Sequence, residues 1–244
     1  MFKKILLTLA MLLSVSSSAM AEKTIVFAVD ATWPPMEFVD SDKQLVGYSI
    51  DYMTAAAKAA GFTAVFKNVA WDGIFAGLAA GKYDAVCSSV SITEKRQKAM
   101  DFSIPYFMVR QALIVPIDSN VKSLADLKGQ KVGGQIGTTG YFAIKGAEGL
   151  EPKSYDEVGL AMEDLSVGRI AAVVCDDPVA ANYAMDQYKG TLKIATVIET
   201  GEVEHYGIAV QKGNTEILDL INKGIESVSK TDYVKEMQQK WIGQ

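Results

Sequence analysis

The sequence predicts an α/β protein made of two lobes, each a largely parallel sheet flanked by helices. Three observations carry that reading. Apolar, strand-like runs alternate with helical stretches almost from end to end. The β-α-β pattern occurs twice. Two extended apolar stretches, Tyr106–Ile117 and Glu202–Gln211, have the character of strands that cross between the halves.

The elements follow in order. Lys3 and Lys4, an apolar run from Ile5 to Val15 and the small-residue site Ala19-Met20-Ala21 read as an export signal cleaved after Ala21. That run is about half the roughly 20 residues a membrane-spanning helix needs. Thr24–Val29 is a strand. Ser49–Ala60 is a helix with Ile50, Met53 and Ala57 on one face and Gly61 as its stop. Phe62–Phe66 is a strand, Trp71–Ala80 a helix stopped by Gly81, and Tyr83–Val90 a third strand. The second unit runs through strand Lys131–Gln135, helix Thr139–Gly146, helix Asp156–Val167 and strand Ile170–Cys175. Each unit repeats the order helix, glycine, basic residue, buried strand, polar group. The tail, Thr215–Trp241, is helical and packs back on the first lobe. These assignments give a first lobe from residues 22–108 and 206–244, and a second from 109–205.

Composition narrows the function. Loss of residues 1–21 takes the formal charge from -5 to -7, which argues against a nucleic-acid partner. The two cysteines, Cys87 and Cys175, make no disulfide scaffold and are expected to be free, buried thiols, one per lobe. With one histidine, His205, in a crossing stretch, neither a metal site nor any other cofactor is expected.

In open α/β sheets, ligands bind beyond the carboxyl ends of strands. Two facing units bring their strand ends to one cleft, and the polar residues there suit a free amino acid. Its carboxylate and ammonium both need fixed partners once buried. Arg96, after Ser88-Ser89-Val90-Ser91-Ile92-Thr93, offers a fork for the carboxylate, with hydroxyls beside it. Gly134-Gln135-Ile136-Gly137-Thr138-Thr139-Gly140 lies between a strand and a helix, whose opening amides attract anions. Asp176 ends a strand and suits the ammonium, while Asp177, before Pro178, reads as a helix cap. Trp33 and Trp71 can flank a side chain, and Asp30 can take a cationic tip. Taken singly, Arg96 also fits a surface charge, the glycine run a turn, Asp176 a cap and each tryptophan the core.

Together these residues resemble the polar amino-acid-binding proteins of bacterial ABC importers, most of all those for histidine and for lysine, arginine and ornithine. The resemblance covers the mature chain. Ser88 to Gln97 followed by Asp101-Phe102-Ser103 is its most specific stretch, with further matches in Trp33 to Phe38, Gly47 to Asp51, Gly137 to Gly140 and Lys240-Trp241. It implies a type II periplasmic-binding fold, the hinged flytrap. It also implies a periplasmic, monomeric binding protein that is not an enzyme and whose partners are an amino acid and a membrane permease. By that resemblance Ser91, Arg96 and the backbone near Thr139 hold the carboxylate, and Ser89 and Asp176 the ammonium. Trp33 and Trp71 flank the side chain, Asp30 faces its tip, and Ser88 and Thr138 line the pocket. A basic amino acid is the expected ligand, with glutamine or another polar one next. Departures from the pattern fall in the side-chain pocket: Met36 for phenylalanine, Trp33 and Trp71 for smaller groups, Gln135 for an aliphatic and Gly140 for a longer polar residue. The same fold also hosts a dehydratase acting on prephenate or arogenate, with an acid such as Asp176 or Asp177 as proton donor, and amino-acid sensors.

Overall fold

The computed structural model describes residues 23–198 and 203–243. The expected signal and its cleavage point after Ala21 lie outside the described residues, as does Glu202 at the head of one crossing stretch.

The chain opens with strand β1 (Lys23–Val29), a small meander of β2 (Thr32–Trp33), β3 (Glu37–Val39) and β4 (Leu45–Val46), helix α1 (Tyr48–Ala60) and strand β5 (Phe62–Asn68). Helix α2 (Ile74–Ala79), strand β6 (Ala85–Val86), the short helix α3 (Glu94–Gln97) and strand β7 (Met100–Phe102) follow. Strand β8 (Phe107–Val109) crosses to β9 (Gln111–Pro116), then come β10 (Lys131–Gln135), α4 (Thr139–Gly146), β11 (Glu151–Tyr155), α5 (Val158–Ser166), β12 (Ala172–Asp176), α6 (Asp177–Asn182) and β13 (Leu192–Ile198). The chain returns through β14 (Glu204–Tyr206) to β15 (Ala209–Gln211), and ends in α7 (Thr215–Ser229) and α8 (Tyr233–Ile242).

Two five-stranded sheets result, one per lobe, in the orders β5-β1-β6-β15-β7 and β11-β10-β12-β9-β13. Both place three parallel strands beside an antiparallel strand that continues from a crossing segment. The crossing strands β8 and β14 pair with each other, Glu204 opposite Val109 and Tyr206 opposite Phe107. His205 sits there, opposite Met108.

Burial explains the elements. In β1, Phe27, Ala28 and Val29 are all fully buried, as a strand covered on both faces requires. On α1 the face of Ile50, Met53 and Ala57 is buried as expected, and Gly61 ends the helix in the left-handed region at φ 81°. Gly224 of α7 lies against the Ala56 carbonyl of α1, so the tail packs on the first lobe. Lys240 and Trp241 complete that packing by donating to Asp51 at 2.7 and 2.8 Å.

Several expected bounds shift. The helix expected from Trp71 begins at Ile74, because Trp71 and Asp72 form a turn closed by Gly73 at φ 86°. The strand expected over Tyr83–Val90 pairs only at Ala85–Val86, since the chain leaves the sheet toward the cleft at Ser88 and Ser89. Asp177 is not a cap: it is the first residue of α6, and its carboxylate accepts from the Arg110 N–H at 3.1 Å. Cys87 and Cys175 are free and buried, one in each lobe.

Candidate binding cleft between the lobes

A narrow cavity of about 10 Å³ lies between the lobes, lined by Trp33, Trp71, Ser88, Ser89, Ser91, Arg96, Thr138, Thr139 and Asp176. Nine of the ten residues singled out in the sequence therefore border one space, and only Asp30 stands back from it.

The first lobe contributes from the ends of β1 and β6. Ser88 fixes the β1 end by accepting the Asp30 N–H on its Oγ at 2.8 Å. Ser89 has φ 46°, in the left-handed region where a non-glycine residue is strained. Its Oγ donates to Glu37 Oε2 at 2.9 Å, which anchors that turn. Glu37 is completely buried with no basic partner among the described residues, and burial holds its carboxyl well above the usual range. Ser91 forms a single antiparallel bridge to Tyr206 of the returning strand.

Arg96 spans the gap. Thr93 caps α3 by accepting the Arg96 N–H on its hydroxyl at 3.2 Å, which starts the helix that carries the guanidinium. Nη1 donates to the Ser91 carbonyl at 2.8 Å and Nη2 to the Gly137 carbonyl of the second lobe at 3.2 Å. The rings of Trp71 and Phe75 lie 5.5 and 5.2 Å from the guanidinium carbon, within cation–π reach. Burial lowers its pKa to about 10, against a partial offset from the Asp176 and Glu204 carboxylates. It stays charged at neutral pH.

The second lobe contributes the loop before α4 and the end of β12. Thr138 caps α4 by accepting the Tyr141 N–H at 3.2 Å, and donates its hydroxyl to the Gln135 carbonyl at 2.8 Å. Gly140 has a steric reason: a Cβ there would stand 2.6 Å from Gln111 Oε1 and 3.0 Å from the Val174 carbonyl. A longer side chain would lift α4 off the sheet. Asp176 occupies the capping position of α6 but its side chain caps nothing and turns into the cleft. It accepts from Gln111 Nε2 at 2.6 Å and from the Tyr206 hydroxyl at 2.5 Å. Burial raises its pKa from 3.8 to about 7, with the Glu204 carboxylate adding to the rise and the Tyr206 and Gln111 hydrogen bonds opposing it.

Three residues at the site go unselected in the sequence, Glu37, Gln111 and Tyr206, while Gln135 is named there only as a loop residue and a departure in the side-chain pocket. Gln111 carried a usable signal. It is the one polar side chain at the head of the apolar run Gln111–Pro116, and it is fully buried. Gln135 stands at the carboxyl end of a parallel strand, as Asp176 does. Gln135 also explains why Asp30 is withdrawn, since its Nε2 donates to Asp30 Oδ2 at 2.8 Å and its Oε1 accepts from the Trp33 indole N–H. Trp71 makes a further bond between lobes, from its indole N–H to the Ile136 carbonyl at 2.9 Å.

Comparison with known proteins agrees with this architecture. Residues 25–244 match the model of a family described as bacterial extracellular solute-binding proteins, family 3. The chain is 36% identical over 219 residues to a protein of Neisseria gonorrhoeae named "Probable histidine-binding protein", covering 88% of this chain and 81% of that one. It superposes with a TM-score of 0.84 and 42% identity on the solved structure of an ancestral arginine-binding protein bound to glutamine, covering 91% of this chain and 99% of that one. An ancestral arginine-binding protein bound to arginine superposes with a TM-score of 0.85 and 40% identity, at the same coverages.

Proposed function

The chain belongs to the bacterial extracellular solute-binding proteins of family 3, and from that premise we propose that it captures a free polar L-amino acid between its lobes and delivers it to an ABC importer in the membrane. The observation that carries this reading is the placement of Arg96 and Asp176, a guanidinium from one lobe and a carboxylate from the other, on the same small cavity. A zwitterion supplies the opposite charge to each.

The α-carboxylate is received by Arg96, the Ser91 hydroxyl and the amides that open α4. The α-ammonium is received by Asp176 and Ser89. Trp33 and Trp71 flank the side chain, and Ser88 and Thr138 border it. The hinge is the β8–β14 pair, with residues 22–108 and 206–244 moving against residues 109–205. An importer that recognises the closed pair of lobes reads ligand occupancy directly. Residues 1–21 direct export to the periplasm and are cleaved after Ala21. The protein works as a monomer by binding and release, without catalysis, cofactor or nucleic acid, in keeping with the binding proteins it resembles.

A thermal-shift screen against the twenty amino acids and ornithine tests this reading. A ligand at about 100 times its dissociation constant adds about 2.7 kcal/mol, so at least one polar amino acid is expected to raise the melting temperature by several degrees. No shift with any of them would defeat the reading.

A further inference from the structure

Gln135 joins the two lobes behind the cleft wall formed by Trp33. It is 1% exposed at the end of β10. Its Nε2 donates both to Asp30 Oδ2 at 2.8 Å and to the Asp156 carbonyl at 2.7 Å, while its Oε1 takes the Trp33 indole N–H. The second Asp30 oxygen accepts from the Thr32 hydroxyl at 2.9 Å. Asp30, the carboxylate that could meet a cationic tip, is thus already satisfied, and neither it nor Gln135 borders the cavity. What the ligand's side chain meets is two indoles and hydroxyls.

We infer that Gln135 is the specificity-determining residue of this cleft: by docking on Asp30 it admits amino acids with uncharged polar side chains and turns away the long cations of arginine and lysine. This rests on the amino-acid-capture reading above and narrows its ligand class. Asp30 and Trp33 belong to the first lobe and Gln135 to the second, so the discrimination acts as the lobes meet. A cation held on Asp30 keeps the Gln135 amide from docking. It leaves the Trp33 N–H and one amide hydrogen without partners in a buried place, so closure around arginine or lysine is penalised. An uncharged side chain leaves the contact intact. Selectivity built on unpaired buried polar groups is stronger than selectivity built on size.

Calorimetric titration of the full mature chain with glutamine, asparagine, serine, threonine, arginine and lysine tests it, alongside Gln135→Leu and Gln135→Met. Both substitutions remove the amide, and methionine does so with an unbranched chain that keeps the site filled should leucine prevent folding. The parent is expected to bind its best uncharged ligand at least tenfold more tightly than arginine or lysine, and each variant that folds to shift that ratio at least tenfold toward the cations. Arginine or lysine as the tightest parent ligand, or an unmoved ratio in the variants, overturns the inference and leaves amino-acid capture standing. A parent that binds no amino acid overturns both.

Discussion

Asp176 carries an electrostatic cost that the proposed binding of an ammonium would relieve. Its carboxyl stands at about 7 against an ordinary 3.8, because burial penalises its charge more than Tyr206 and Gln111 relieve it. A raised value means the folded protein holds the proton that the unfolded chain gives up. Its stabilising effect is therefore complete below about pH 4 and is lost as pH rises through about 7. A ligand ammonium reverses the sign, since it favours the ionised form. Affinity is expected to be greatest above about pH 7 and to fall by up to about tenfold per unit as pH drops below it. Titration calorimetry from mildly acidic to mildly alkaline buffer measures this, and an affinity independent of pH would contradict it. Arg96 adds no slope there, because its value of about 10 lies above the window. At this scale the sequence was informative where polar residues cluster after strand ends, as with Arg96, Ser91 and Asp176, which border one cavity. It was uninformative where partners come from distant segments. Nothing near Asp30 in the chain announces that Gln135, 105 positions away, takes its carboxylate.

Among the elements, glycine punctuation made the framework legible. Gly61, Gly81 and Gly168 all adopt left-handed conformations where they end helices or lead into strands. The strand Lys131–Gln135 and the helix Thr139–Gly146 fall where the pattern places them. The meander β2-β3-β4 escaped because strands of two or three residues carry no measurable period. Strand β11 escaped for another reason. Its Glu-Pro-Lys-Ser-Tyr composition reads as a loop, yet it is an edge strand, where proline and lysine are tolerated. Gly224 has a role that only packing reveals, since a Cβ there would press on the Ala56 carbonyl of α1. Gly224→Ala is expected to cost about 1–3 kcal/mol by forcing α7 away from α1. A lowered denaturation midpoint with ligand affinity retained is the expected readout, and an unchanged midpoint would contradict this account of the contact.

The whole molecule behaves as two similar halves with the chemistry at their seam. The sheets share one strand order, and each sends a crossing strand into the β8–β14 pair. Apart from the Tyr206 hydroxyl on Asp176, each bond across the cleft described above joins a residue of the first lobe to the segment Gln135–Gly137 of the second. That segment lies directly before α4, so the surface that meets the first lobe is continuous with the amides that would meet a carboxylate. In the proposed reading, holding a zwitterion between Arg96 and Asp176 would draw together surfaces already shaped to bond. The most direct measurement is calorimetry with the cognate amino acid beside two analogues, one with the carboxylate reduced to an alcohol and one with the amine replaced by a hydroxyl, on the parent and on Arg96→Ala. Leaving a buried charge unpaired costs about 2–5 kcal/mol. Each analogue should therefore bind the parent at least about thirtyfold more weakly, and Arg96→Ala should weaken the amino acid by a similar factor while no longer distinguishing it from the alcohol. An analogue bound as tightly as the amino acid, or an Arg96→Ala variant with parental affinity, would contradict the account.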